Sequence, residues 1–163
     1  MITGLTNRFI AQTAIIAALY AAITVAFAFM SYGPIQVRIS EALTVLPFIS
    51  VAAIPGLAIG CLVANLFSPA GLPDIIFGTL CTLMAAGLTY LSSKTKRPFL
   101  APLPPVVVNA LGVSLYLHFL YNLPYWFNVL YILAGEIIAC YLLGYPLLKF
   151  ILGKEKILRI FEI

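Results

Sequence analysis

Charged side chains are scarce in this chain: they make up 9% of its 163 residues, against roughly a quarter in a soluble domain. So few cannot cover a globular surface in water, which excludes an ordinary soluble fold. Histidine occurs once, at His118, and the three cysteines, Cys61, Cys81 and Cys140, each stand alone in an apolar run. No C-x-x-C spacing is present, so histidine and cysteine assemble no zinc site, and the cysteines read as small core residues. Phosphate-loop, G-x-S-x-G and H-E-x-x-H motifs and paired acidic motifs are also missing. The chain therefore shows no energy source of its own and no catalytic signature. An enzyme acting on a lipid would need a nucleophile or metal constellation inside the apolar runs, and scattered cysteines with a lone acid do not supply one. Two halves of matching pattern, the mark of an inverted-repeat transporter, are absent too.

What the chain has is long hydrophobic sequence, 63% of its residues, with a mean hydropathy of +1.11. The apolar runs are continuous rather than alternating, which predicts an all-α integral membrane protein and not a barrel. The length suits a single transmembrane domain, 1–163, of five or six spans. The run 9–30, "FIAQTAIIAALYAAITVAFAFM", is long enough to cross the hydrocarbon core. It exceeds the apolar stretch of a signal peptide and is read as a retained helix. The region 42–67 contains Pro47 and Pro55-Gly56, which predict a break into two shorter helices. Further runs cover 74–91, 100–120 and 128–150, and the tail "GKEKILRIFEI" suits an interfacial position.

The net charge of +4 marks the cytoplasmic side and not nucleic-acid binding. With six helices, Arg8, Lys94, Lys96, Arg97, Lys149, Lys154, Lys156 and Arg159 lie inside and Arg38 outside; with five, Arg8 and Arg38 exchange sides. The positive-inside rule places 92–99 and the tail in the cytoplasm but leaves the helix number open, which the prolines tilt towards six.

Polar groups inside such runs are costly and functional candidates by default. Glu136, in "LYILAGEIIACYLLG", falls near mid-membrane, about 13 Å into its helix; the alternative is a structural acid bonded to a neighbouring helix. Asn128, Ile132, Gly135 and Glu136 share a face with Tyr131 beside it, which reads as a pocket wall. Asn109 would bond either a helix neighbour or a ligand, and Asn65 would cap its helix. Pro104-Pro105 suits a helix first turn. Asp74 opens a helix, where a carboxylate suits the dipole. Tyr125, Trp126 and Phe127 are an interfacial belt or a stacking platform. In "SYGPIQVRISEALTVLP" (31–47), Arg38 and Glu41 are a surface ion pair at a helix start or part of a structured loop over the outer mouth. Ala14, Ala18, Ala22 and Ala26 recur every four residues, a small-residue packing face for the protein's own helices or for a partner.

The blocks "RISEALTVLP" (38–47), "AIPGLAIGCLVANL" (53–66), "DIIFGTL" (74–80), "LAPLPPVVVNA" (100–110) and "GEIIACYLLGYPLL" (135–148) resemble the QueT family of queuosine-precursor transporters. These are substrate-binding S-components of energy-coupling factor (ECF) transporters. The resemblance implies a six-transmembrane-helix bundle of the ECF S-component type in a bacterial plasma membrane, with both termini cytoplasmic. It implies a transmembrane coupling subunit (EcfT) docked on Ala14, Ala18 and Ala22, two cytoplasmic ATPases, and no cofactor in this chain. The implied ligand is a 7-deazaguanine such as prequeuosine-1 or queuine. Glu136 would accept from its guanine-like edge, and Asn109, Asn128 or Arg38 would donate to O6. Trp126, Tyr125 or Tyr131 would stack on the ring, and Glu41 or Asp74 would meet a cationic aminomethyl group. Arg38 and Glu41 would lie in an outer loop over the mouth. An S-component for another vitamin or base, and a non-transport membrane scaffold, remain the alternatives.

Overall fold

The computed structural model describes residues 2–32 and 36–161, with side chains from Asn7 onward. Gly33 and Pro34, within the stretch 31–47, suit a turn by composition; they and the last two residues of the charged tail lie outside the described residues. Every described element is a helix. Four are long and apolar enough to cross a membrane: Asn7–Ala26, Asp74–Ser93, Pro98–Tyr121 and Tyr125–Leu152. The chain is thus a multi-pass membrane protein.

The first span belongs to α1 (Ile2–Ala26), which a short turn, α2 (Ala28–Ser31), follows. The proline-marked region then forms two short helices, a 3₁₀ helix over Ile39–Phe48 and α3 (Ala53–Asn65). Pro47 lies inside the 3₁₀ helix, where its missing N–H removes one α-type bond. At 3.0 residues per turn, side chains three apart eclipse. Arg38, which caps this helix, Glu41, Thr44 and Pro47 therefore fall on one line, and all four are buried. An α-helix would have spread them around its circumference.

A π-type turn, Asp74–Gly78, runs into α4 (Thr79–Ser93), and Pro98–Leu100 leads into α5 (Leu103–Tyr121). Pro104 and Pro105 stand in the first turn of α5, where missing donors cost nothing. The last span combines α6 (Tyr125–Glu136), a π segment (Ile137–Gly144) and α7 (Tyr145–Leu152). Both π irregularities adjoin buried acids: Asp74 begins one and Glu136 immediately precedes the other.

Lipid tails are as apolar as leucine, so close backbone approach and hydrogen bonds bind these helices to one another. The α1–α3 contact is built on Gly56 and Gly60. A Cβ at Gly60 would lie 2.8 Å from the Ala17 carbonyl oxygen and 2.8 Å from Tyr20 Cβ. Thr13 Oγ1 donates to the Ala52 carbonyl across the same interface. On the last span, a Cβ at Gly144 would meet the Ala42 carbonyl of the 3₁₀ helix at 2.9 Å. The tail helix α8 (Glu155–Phe161) folds back on α1, where Arg8 donates to the Arg159 carbonyl and Gln12 to the Ile160 carbonyl. The outer surface is apolar, with Phe29, Phe119, Trp126 and Leu72 largely exposed, as a lipid-facing surface requires.

Candidate functional site

Among the described residues the buried charged side chains are Arg38, Glu41, Asp74 and Glu136. They come from three different elements, the 3₁₀ helix with its cap, the Asp74 turn and α6, and meet in one region of the bundle interior. In a chain with only five acidic residues, three are gathered around the single buried cation found among the described residues. Burial of an ionic group is expensive unless it is paired and hydrogen-bonded, so the partners of each decide what the cluster can do.

Asp74 is saturated. Its Oδ2 accepts from Arg38 Nη2 at 3.4 Å and from Ser68 Oγ, and its Oδ1 accepts from the Tyr116 hydroxyl. Asn65 Nδ2 donates to the Asp74 backbone carbonyl at 2.7 Å. Arg38 is held further by a long bond from Nε to the Ser31 carbonyl, 3.5 Å, and sits 5.5 Å from the centre of the Tyr32 ring, within cation–π range.

The other two acids are arranged differently. Glu136 Oε1 accepts from Asn109 Nδ2 at 3.0 Å, and Oε2 accepts from the Cys140 thiol at 3.3 Å. Glu41 Oε1 accepts from the Tyr20 hydroxyl, while Oε2 has no partner. Asn109 Oδ1 is also buried without a partner. One oxygen of Glu41, one of Glu136 and Cys140 Sγ all lie within 4.8 Å of one another. Buried acceptors that lack donors are costly in a finished core. Asn109, with Arg38 and Glu136, lines a small cavity whose other walls are Gln36, Gly78, Thr82, Val113 and Ile132; Glu41 lies behind Glu136, outside that lining. That cavity holds about 10 Å³, room for one water molecule. A larger hollow of about 570 Å³ lies between α4 and α5, but it is lined by Phe77, Leu80, Met84, Leu115 and other apolar side chains facing outward. It offers lipid contact, not polar recognition.

A model of the QueT transporter family matches residues 10–153. The chain belongs to the QueT transporter family. A curated relative, the queuosine precursor transporter QueT of Lactococcus lactis subsp. cremoris (strain MG1363), is 40% identical over 81 residues, which are 48% of this chain and 47% of the relative. The chain thus spans about half the length of the curated relative it matches. No solved structure matches the chain.

Of the residues proposed from sequence in this QueT-family chain, the fold brings Glu136, Asn109, Arg38, Glu41 and Asp74 together. Arg38 and Glu41 do not form a surface pair: Arg38 bonds Asp74, and Glu41 bonds Tyr20. Asn128 is half-buried, with its Nδ2 unpartnered. Trp126 is 71% exposed and Tyr131 49% exposed, so both rings lie on the outer surface and not against the cavity. Tyr125 stacks edge-on with Trp126 and with His118, an arrangement typical of an interfacial belt. Ala14, Ala18 and Ala22 are exposed on the face of α1 opposite Ile16, Tyr20 and Thr24, whereas Ala17 turns inward onto Gly60.

Sequence reasoning missed Tyr20, Tyr116, Ser68 and Cys140. For Cys140 a signal existed, because it stands four residues after Glu136 and shares its helix face. Gly56-x-x-x-Gly60 was likewise a readable packing motif. Tyr20 and Tyr116 stand among apolar residues and carry no local sign of their carboxylate partners.

Proposed function

We propose that this chain is the substrate-binding membrane subunit, the S-component, of an ECF-type transporter that imports a queuosine precursor, a 7-deazaguanine such as prequeuosine-1 or queuine. The observation that carries the reading is the buried cluster of Glu41, Glu136, Asn109 and Arg38, with two acceptors left without donors. A nitrogen-rich flat base brings the N–H groups such acceptors need, and the guanidinium supplies a donor for its carbonyl. Family membership and the similarity to the Lactococcus queuosine precursor transporter support the same ligand class.

The present cavity admits only a water-sized group, so binding displaces side chains around it. The long spans, with the two short helices Ile39–Phe48 and Ala53–Asn65, would make six crossings of the bacterial plasma membrane, with both termini cytoplasmic, in one transmembrane domain. The exposed face of Ala14, Ala18 and Ala22 suits close packing against a coupling subunit, EcfT. Two cytoplasmic ATPases would provide the energy for which this chain carries no motif.

The test is ligand binding by purified Glu136→Gln protein. Loss of a charged hydrogen-bond acceptor is worth about 1.5–3 kcal/mol, so affinity for a 7-deazaguanine should fall by about 10- to 150-fold while the protein still folds. Unchanged affinity in a folded variant would place the site elsewhere.

A further inference from the structure

Taking the proposed substrate site as the starting point, we infer that Glu41 and Glu136 together grip one protonated amine of the ligand, and that Glu41 selects for that positive charge. Four observations lead there. The interior holds three carboxylates and one guanidinium, and Arg38 is committed to Asp74. Among the described residues, Glu41 and Glu136 are therefore left without a hydrogen-bonded ion pair of their own. Asp74, whose two oxygens already serve Arg38, Ser68 and Tyr116, has its charge matched within the protein. Glu41 can accept from a ligand ammonium, because its Oε2 is buried and unpartnered, and Asn109 Oδ1 beside Glu136 offers a further acceptor.

The spacing is the fourth observation. An oxygen of Glu41 and one of Glu136 lie no more than 4.8 Å apart, close enough for one nitrogen to reach both. Charge-assisted N–H···O bonds of about 2.8 Å from one tetrahedral nitrogen place two acceptors roughly 4.6 Å apart. A bicyclic ring laid end to end between the two acids would hold them much further apart, so they serve the same end of the ligand. A metal ion would also meet the charge requirement. Such an ion would need the Cys140 sulfur as thiolate, whereas an ammonium leaves it a thiol, with its one proton available to Glu136 Oε2 at 3.3 Å or to the Glu41 carbonyl at 3.5 Å.

The experiment is a calorimetric titration of the purified full chain with three ligands: 7-aminomethyl-7-deazaguanine, its neutral 7-cyano counterpart, and 7-deazaguanine. The aminomethyl compound should bind at least about 30-fold more tightly than both neutral ones. In Glu41→Gln, whose amide oxygen still accepts from Tyr20, the ratio of the aminomethyl to the 7-deazaguanine affinity should fall to within a few-fold of one, whatever the change in 7-deazaguanine affinity itself; an unchanged ratio overturns the inference. Equal affinity for all three wild-type ligands overturns the inference and leaves the proposed function standing. Binding of none overturns both. Tight cobalt(II) binding with a thiolate-to-metal absorption that Cys140→Ser abolishes also overturns it, by giving the acid pair to a metal. Should Glu41→Gln fail to fold, the wild-type series decides the matter alone.

Discussion

Asp74→Asn isolates the electrostatic keystone of the bundle. The substitution preserves side-chain shape and removes one charge. Three donors converge on the carboxylate: Arg38 Nη2, Ser68 Oγ and the Tyr116 hydroxyl. An amide in its place has only one oxygen, so its NH₂ must oppose at least one of those donors. The larger effect falls on Arg38, whose side chain is 8% exposed and whose one carboxylate contact would be lost. Breaking a buried pair in this way costs about 3–5 kcal/mol, mostly as uncompensated charge. The exposed pair Arg159–Glu155 provides the internal control. Its side chains are 71% and 80% exposed, and a solvated i,i+4 pair contributes about 0.3–0.5 kcal/mol. Equilibrium unfolding in detergent micelles should therefore separate Asp74→Asn from Glu155→Gln by several kcal/mol. If the two variants unfold within about 1 kcal/mol of each other, the reasoning about buried charge in this protein is wrong.

Other outcomes follow from packing and exposure. Gly60→Ala would drive a methyl group into the Ala17 carbonyl and Tyr20 Cβ, both 2.8 Å away; backbone cannot yield as a side chain tip does, so the variant should unfold more easily, whereas parental stability would contradict the close α1–α3 contact. Gly112→Ala meets only Cys81 Sγ at close range, 2.6 Å, and that sulfur can rotate away, so its loss of stability should be the smaller of the two. Ala18→Trp enlarges an exposed position of α1 and should abolish cellular uptake while leaving ligand affinity of the purified chain intact; undiminished uptake would remove α1 as the docking face.

The sequence conveyed the helical membrane class because runs such as 9–30 permit few other structures, and Pro47 and Pro55 foretold two short helices, observed at Ile39–Phe48 and Ala53–Asn65. The meeting of Glu136, Asn109, Arg38, Glu41 and Asp74 was only partly readable. Each stood out as a polar group in apolar surroundings, but which acid pairs with Arg38 depends on tertiary approach. Glu41 is three residues from Arg38 and Asp74 is 36 away, yet the distant one takes the bond. The 3₁₀ geometry explains part of this, because it aligns Arg38 and Glu41 on one buried line while sending each to a different partner. The aromatic residues illustrate the converse: Trp126 and Tyr131 suit both a stacking platform and a lipid-facing belt by composition, and only their exposure distinguishes the two.

The most direct test of substrate recognition is the unfolding temperature of the purified chain with and without 7-aminomethyl-7-deazaguanine. A ligand bound to the folded state at 100 times its Kd stabilises by about 2.7 kcal/mol. The account predicts a concentration-dependent rise in unfolding temperature for this ligand that Glu136→Gln greatly reduces. No rise with any 7-deazaguanine, or an equal rise in Glu136→Gln, would contradict it.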